Sequence, residues 1–181
     1  MINTEKVRPL GWQSKLLTLA KGVLVITFIQ IVFGAFVAGL KAGLIYNTWP
    51  LMGDKFIPDS VHYAVYTMGW HGLIDNMSGV QFVHRNLAYL VFFGVLFQAF
   101  YMWKNHRNGQ SPLLAGQQHA IWAVTVLVVL QFVLGIFTLL HKVPLTLGVI
   151  HQAGALLLLG SQVYLLHRLT HVSIPEQSTR Q

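Results

Sequence analysis

Long apolar runs separated by short polar interruptions dominate the chain. Residues 22–40, 86–103, 120–140 and 145–166 contain no Asp, Glu, Lys or Arg. At about 1.5 Å per residue, each is long enough to cross roughly 30 Å of hydrocarbon as a helix. The pattern predicts an all-α membrane protein, a bundle of four transmembrane helices, because a segment in lipid must satisfy its own backbone hydrogen bonds. The connections are unequal: residues 41–79 form a long outer loop between the first two spans, whereas His141-Lys142-Val143-Pro144 is a short turn between the last two. This divides the chain into an N-terminal segment (1–21), a four-helix domain (22–168) with an outer cap at about 41–79, and a tail (169–181).

A faint repeat follows the two helix pairs. The first span carries Gln30-Ile-Val-Phe-Gly34 and the third Gln131-Phe-Val-Leu-Gly135, and each precedes a helix with a histidine followed by alanine four positions on, His84 to Ala88 and His151 to Ala155. Two pairs related by a pseudo-twofold axis are the simplest arrangement. For the glycines themselves, close helix approach with glutamine bonding across helices is a sufficient reading.

Composition agrees with lipid as the solvent: 54% of the 181 residues are hydrophobic, 9% are charged, and mean hydropathy is +0.56. Lys6, Arg8, Lys15, Lys21, Lys104, Arg107, Arg168 and Arg180 fall on one side, against Lys41, Lys55, Arg85 and Lys142 on the other. Cytoplasmic loops carry the excess of Lys and Arg, so both termini are expected in the cytoplasm. The net charge of +7 flanks hydrophobic spans and forms no dense patch on a soluble domain. Nucleic acid is therefore an unsuitable partner, and anionic lipid headgroups are a suitable one. The first span is longer than a signal-peptide core and lacks a small-residue cleavage site, so it is expected to remain as an anchor. With no Arg-rich transit peptide, a bacterial inner membrane is the expected location. No cysteine is present, which excludes disulfides, thiolate zinc sites, cysteine-ligated iron-sulfur clusters and c-type haem attachment.

The outer loop exceeds the usual length of a structureless connection and is expected to form a cap. Asn47-Thr48-Trp49-Pro50 reads as a turn, and residues 61–73, with Tyr63, Tyr66 and Trp70, as a short amphipathic helix. Residence in the interfacial aromatic belt explains those aromatics equally well.

Nine histidines remain to be sorted. His106, His167 and His171 adjoin cations at inner helix ends, where solvation suffices, and His119 begins the third span as a boundary residue. His62, His71 and His141 lie on the outer side, where interfacial roles also suffice. Only His84 and His151 lie clearly within spans, about 8 and 10 Å from the outer ends of their helices. Ionisable groups inside a bilayer are costly and usually face the bundle interior. Two readings fit: interhelical hydrogen bonding, or axial ligation of a haem iron between facing helices. Ala88, Gly154 and Ala155 leave room one turn below, and Arg85 is a candidate partner for a haem propionate.

These residues also carry a resemblance. Gly34-Ala-Phe-Val-Ala-Gly39-Leu-Lys-Ala-Gly43, Asn47-Thr48-Trp49-Pro50-Leu-Met52, Asn76-Met77 through Gln81-Phe-Val-His84-Arg85, and His151-Gln152-Ala-Gly-Ala155 resemble the carboxy-terminal half of heme A synthase, in order and over nearly the whole chain. The resemblance implies a membrane oxidoreductase that oxidises the C8 methyl of heme O to the formyl of heme A for cytochrome oxidase assembly. It implies His84 and His151 as iron ligands of a b-type haem, with the catalytic site in the other half, where a glutamate stands three residues before the first histidine. Here that position is Gln81, whose amide donates and accepts hydrogen bonds but carries no charge near neutral pH.

Three origins fit a chain resembling one half: a split gene, a truncated reading frame, or a half that assembles with copies of itself. The second chain would then be a catalytic half or another copy, and the electron acceptor stays unidentified. Two other functions fit the same histidines or their absence from chemistry: a membrane cytochrome b subunit that passes electrons between a quinone and another carrier, and an assembly or scaffold protein without haem. The charge asymmetry generates a direct expectation. A reporter fused after Gln181 reads as cytoplasmic and one inserted near Asp59 as external; the opposite result would overturn the shared outer location of His84 and His151.

Overall fold

The computed structural model describes residues 4–6, 11–108 and 113–173. Five α-helices run as α1 (Gly11–Gly39), α2 (Asp59–Met68), α3 (Met77–Arg107), α4 (Ala115–Leu140) and α5 (Leu145–Thr170). Of these, α1, α3, α4 and α5 are long and apolar enough to cross a membrane, which gives the all-α, four-span architecture. A three-residue antiparallel pairing, β1 (Thr4–Lys6) with β2 (His171–Ser173), joins the two ends of the chain.

The helices extend past the charge-free runs. The first begins at Gly11, inside the segment read from sequence as an N-terminal tail, because Trp12, Leu16 and Ala20 continue the buried stripe while Lys15 and Lys21 stay exposed on the other face. A lysine near a span end keeps its stem in apolar surroundings and its ammonium in water. Similarly, α3 begins before its charge-free run because Asn76 caps it: its side-chain oxygen accepts from the backbone N–H groups of Ser78 (2.9 Å) and Gly79 (3.4 Å). The α4–α5 turn closes α4 with a Schellman pattern. Val143 N–H donates to Thr138 O and Lys142 N–H to Leu139 O, with Lys142 left-handed at φ 59°.

Within the bundle α1 packs on α3 and α4 on α5, and weaker α1–α5 and α3–α4 contacts close the ring. Helices α3 and α5 therefore lie on a diagonal. The close-packed core is confined to one end. It is built from Trp12, Leu16, Ala20 and Val23 of α1, Val91, Val95, Ala99 and Met102 of α3, Ile121, Val124 and Val128 of α4, and Leu158, Leu165 and Leu169 of α5. Two polar ties reinforce it. Gln162 Nε2 donates to Thr27 Oγ1 at 3.0 Å between α5 and α1. Gln117 accepts from Leu114 N–H (3.0 Å) and donates to Arg168 O (2.9 Å), fastening the start of α4 to the end of α5. Such bonds contribute about 0.6 kcal/mol each in lipid, because the same groups also find partners in the unfolded chain within the membrane.

The opposite end differs. Between Gln81 and Val91 of α3, between Val128 and Thr138 of α4, and before Leu158 of α5 no described residue is fully buried. Over that end sits the expected cap, its helix lying at Asp59–Met68 and continuing as a 3-10 turn over Gly69–Leu73. Asp59 opens α2, where a carboxylate complements the helix dipole. Its exposed 2.7 Å pair with Lys55 holds the carboxyl below its ordinary pKa and the ammonium above its own.

Glycines fasten the cap. A side chain at Gly79 would collide with the Gly72 carbonyl oxygen, and one at Gly72 with the Ala64 carbonyl, so the start of α3 touches cap backbone directly. Gly22, in contrast, faces open space. Gly79→Ala should accordingly cost about 2 kcal/mol by overpacking, while Gly22→Ala changes stability by less than about 0.5 kcal/mol. Thermal unfolding in detergent micelles checks the pair; equal melting temperatures would refute the close approach.

Candidate cofactor site

His84 stands seven residues after Met77 and His151 six after Leu145, so both lie about 10 Å below the capped end at 1.5 Å per residue. They stand on diagonal helices at similar depth. Both lie in stretches of their helices where no described residue is fully buried.

Each imidazole meets a glutamine and a glycine of the neighbouring helix, but through different ring nitrogens, Nε2 at His84 and Nδ1 at His151. Gln30 and Gly34 share one face of α1, and Gln131 and Gly135 one face of α4, because positions four apart on a helix stack. Gln30 Nε2 lies 3.4 Å from His84 Nε2, and Gln131 Nε2 lies 3.1 Å from His151 Nδ1 and donates to His151 O at 2.7 Å. The glycines receive the rings: a Cβ on Gly34 would come 3.2 Å from His84 Cε1, and one on Gly135 2.9 Å from His151 Cε1. Close helix packing, the sequence reading of Gln-x-x-x-Gly, is thus present in a specific form. The repeated motif is the seat of each histidine, and its coincidence with the two histidine helices was the signal in the sequence.

The two side chains next to His84 bind the cap. Arg85 Nη2 donates to the carbonyls of Thr48 (2.8 Å), Pro50 (3.2 Å) and Leu51 (3.2 Å), while its Nη1 is buried with no protein partner among the described residues. Gln81, one turn earlier and buried, donates through Nε2 to Tyr46 O at 3.0 Å. Asn47 donates to Gly43 O (2.7 Å) and Leu139 O (3.0 Å), joining the same loop to the end of α4. An ionised carboxylate at position 81 would have no hydrogen to offer the Tyr46 carbonyl. Of the Asn47-Thr48-Trp49-Pro50 segment, expected as a turn, Trp49 and Pro50 form a bend and Asn47 and Thr48 an irregular stretch held by these contacts.

Among the other histidines of the capped end, His71 pairs with Asp75 (3.3 Å), and His141 bonds the Phe137 carbonyl (2.8 Å) at the end of α4. His167 and His171 stack on each other at the opposite end. Among the described residues no three His, Asp or Glu side chains converge, and the candidate donors are the two imidazoles. Two imidazoles suit an iron that already has in-plane nitrogen ligands, as haem iron has. The orphaned His84 Nδ1, a free ring nitrogen, and Arg85 Nη1, a free cationic donor, fit such a planar anionic group.

Fold and site together define a four-span membrane bundle with two glutamine-backed imidazoles at equal depth. The chain belongs to the cytochrome oxidase assembly protein family (COX15-CtaA), whose profile matches residues 3–163. It is 44% identical over 169 residues to a heme A synthase of Flavobacterium johnsoniae, covering 93% of this chain and 46% of that protein. It is 41% identical to a heme A synthase of Parvibaculum lavamentivorans, covering 88% and 44%, and 45% identical to one of Bartonella quintana, covering 76% and 36%. The chain thus spans less than half the length of these relatives. No solved structure matches it.

Proposed function

We propose that this chain is the haem b-holding half of a heme A synthase-type oxidoreductase, which converts the C8 methyl of heme O to a formyl for cytochrome oxidase assembly. The observation that carries the reading is the pair of imidazoles on diagonal helices, each set against a Gln-x-x-x-Gly face of the neighbouring helix. His84 and His151 would hold the iron, and Arg85, whose Nη1 is buried without a partner, would meet a propionate while its Nη2 keeps the cap in place. Bound haem supplies one-electron redox chemistry tuned by its axial ligands.

The protein residues fix geometry and keep water out. Gln81 spends its donor on the cap backbone and offers no titratable group. Oxidation of the substrate methyl, which loses four electrons and gains an oxygen atom, then requires a second chain, either a catalytic half with Glu-x-x-His on a helix or another copy of this one, together with an electron acceptor and water or dioxygen as the oxygen source. Its setting is a bacterial inner membrane, with both termini cytoplasmic.

Two outcomes check this reading. His84→Ala and His151→Ala should each abolish the low-spin optical spectrum, since loss of an axial ligand opens the iron to water or carbon monoxide, whereas His106→Ala should not; unchanged spectra in both ligand variants would remove the clamp. Expressed in a heme O-producing membrane without any other heme A synthase, the chain should yield no heme A by extraction and chromatography. Accumulated heme A would show that copies of this half suffice and that Gln81 does not mark a non-catalytic site.

A further inference from the structure

The two glutamines carry more than packing. Each contacts the histidine of its own helix pair, and the orphaned atoms around them form a pattern. His84 Nδ1 and Gln30 Oε1 are both buried and both lack a partner among the described residues, although the two side chains touch through Nε2 and Nε2 at 3.4 Å. Gln131 presents its amide nitrogen to His151 Nδ1 and His151 O. Its oxygen lies against Gly154, where any side chain would collide with it.

An imidazole facing an amide N–H must offer a lone pair, so its proton sits on the other nitrogen. An imidazole bound to a metal uses one nitrogen as the ligand and carries its proton on the second, which needs an acceptor. A carboxamide serves both forms, because it holds donor and acceptor on one plane that a half-turn exchanges. Hydrocarbon surroundings offer no water to do so instead.

Resting on the haem-binding reading above, we propose that Gln30 and Gln131 are paired positioning residues. Their amides turn to accept the imidazole N–H once the opposite nitrogen ligates iron, which fixes each ring's tautomer and plane and lowers the reduction potential of the bound group. Gly34, Gly135 and Gly154 supply the room: two seat the rings and the third gives the Gln131 amide space to turn. An acceptor on a ligand imidazole makes it a stronger electron donor and favours the oxidised metal.

The test is a spectroelectrochemical titration of the purified full chain loaded with haem b. Gln30→Leu and Gln131→Leu should each shift the reduction equilibrium about tenfold toward the reduced form, which for a one-electron couple is ~59 mV upward. Gln30→Glu and Gln131→Glu, which keep an acceptor and increase its strength, should shift it the other way while retaining the low-spin spectrum. A purely structural role would lower haem occupancy and move Leu and Glu variants alike. Should the Leu variants fail to retain haem, the Glu variants carry the test alone through the sign of their shift. Potentials within twofold of wild type in both substitutions at both positions would overturn the proposal and leave the clamp standing. A wild-type chain that takes up no haem would overturn the clamp and this proposal together.

Discussion

A polar side chain inside hydrocarbon must find a partner within the protein, and this constraint organises the bundle. Water is absent, and apolar burial between helices gains little, because lipid tails are as apolar as leucine. What fixes one helix against the next is therefore the set of polar contacts and the small residues that let them form. Thr27 and Gln162 tie α1 to α5, Gln30 and His84 tie α1 to α3, and Gln131 and His151 tie α4 to α5. Gly34 and Gly135 set the distance in the last two.

The same constraint separates the two ends of the molecule. One end closes on branched and aromatic side chains from all four spans. The other carries the histidines, and its lid is fastened by backbone carbonyls: Arg85 grips three of them and Gln81 a fourth. A closed end and a seated imidazole pair at the other give a scaffold that would hold the two rings in place if they ligate a metal, as the proposed haem site requires.

Much of this was legible in the sequence. Charge-free runs located the four spans, the length of the outer loop announced a cap, and the depth of His84 and His151 singled them out from seven other histidines. The span ends were less legible. Lys15 and Lys21 hide a helix that continues beneath them, and α3 starts where Asn76 caps it, nine residues before its charge-free run. Arg85 read as a propionate partner from its place beside His84, but its hold on the carbonyls of residues 48–51 depends on where the loop folds back, which no local pattern encodes. The Gln-x-x-x-Gly repeat was visible; that each copy seats a histidine emerges only once α1 lies on α3 and α4 on α5.

The claim on which the rest depends is that two helices on a diagonal hold one iron between two imidazoles. Haem quantitation of the purified wild-type chain, together with electron paramagnetic resonance of its oxidised form, addresses it directly. The account predicts one haem b per chain with the low-spin signal of bis-imidazole ligation. A chain that purifies folded without haem, or with a high-spin iron, would contradict it.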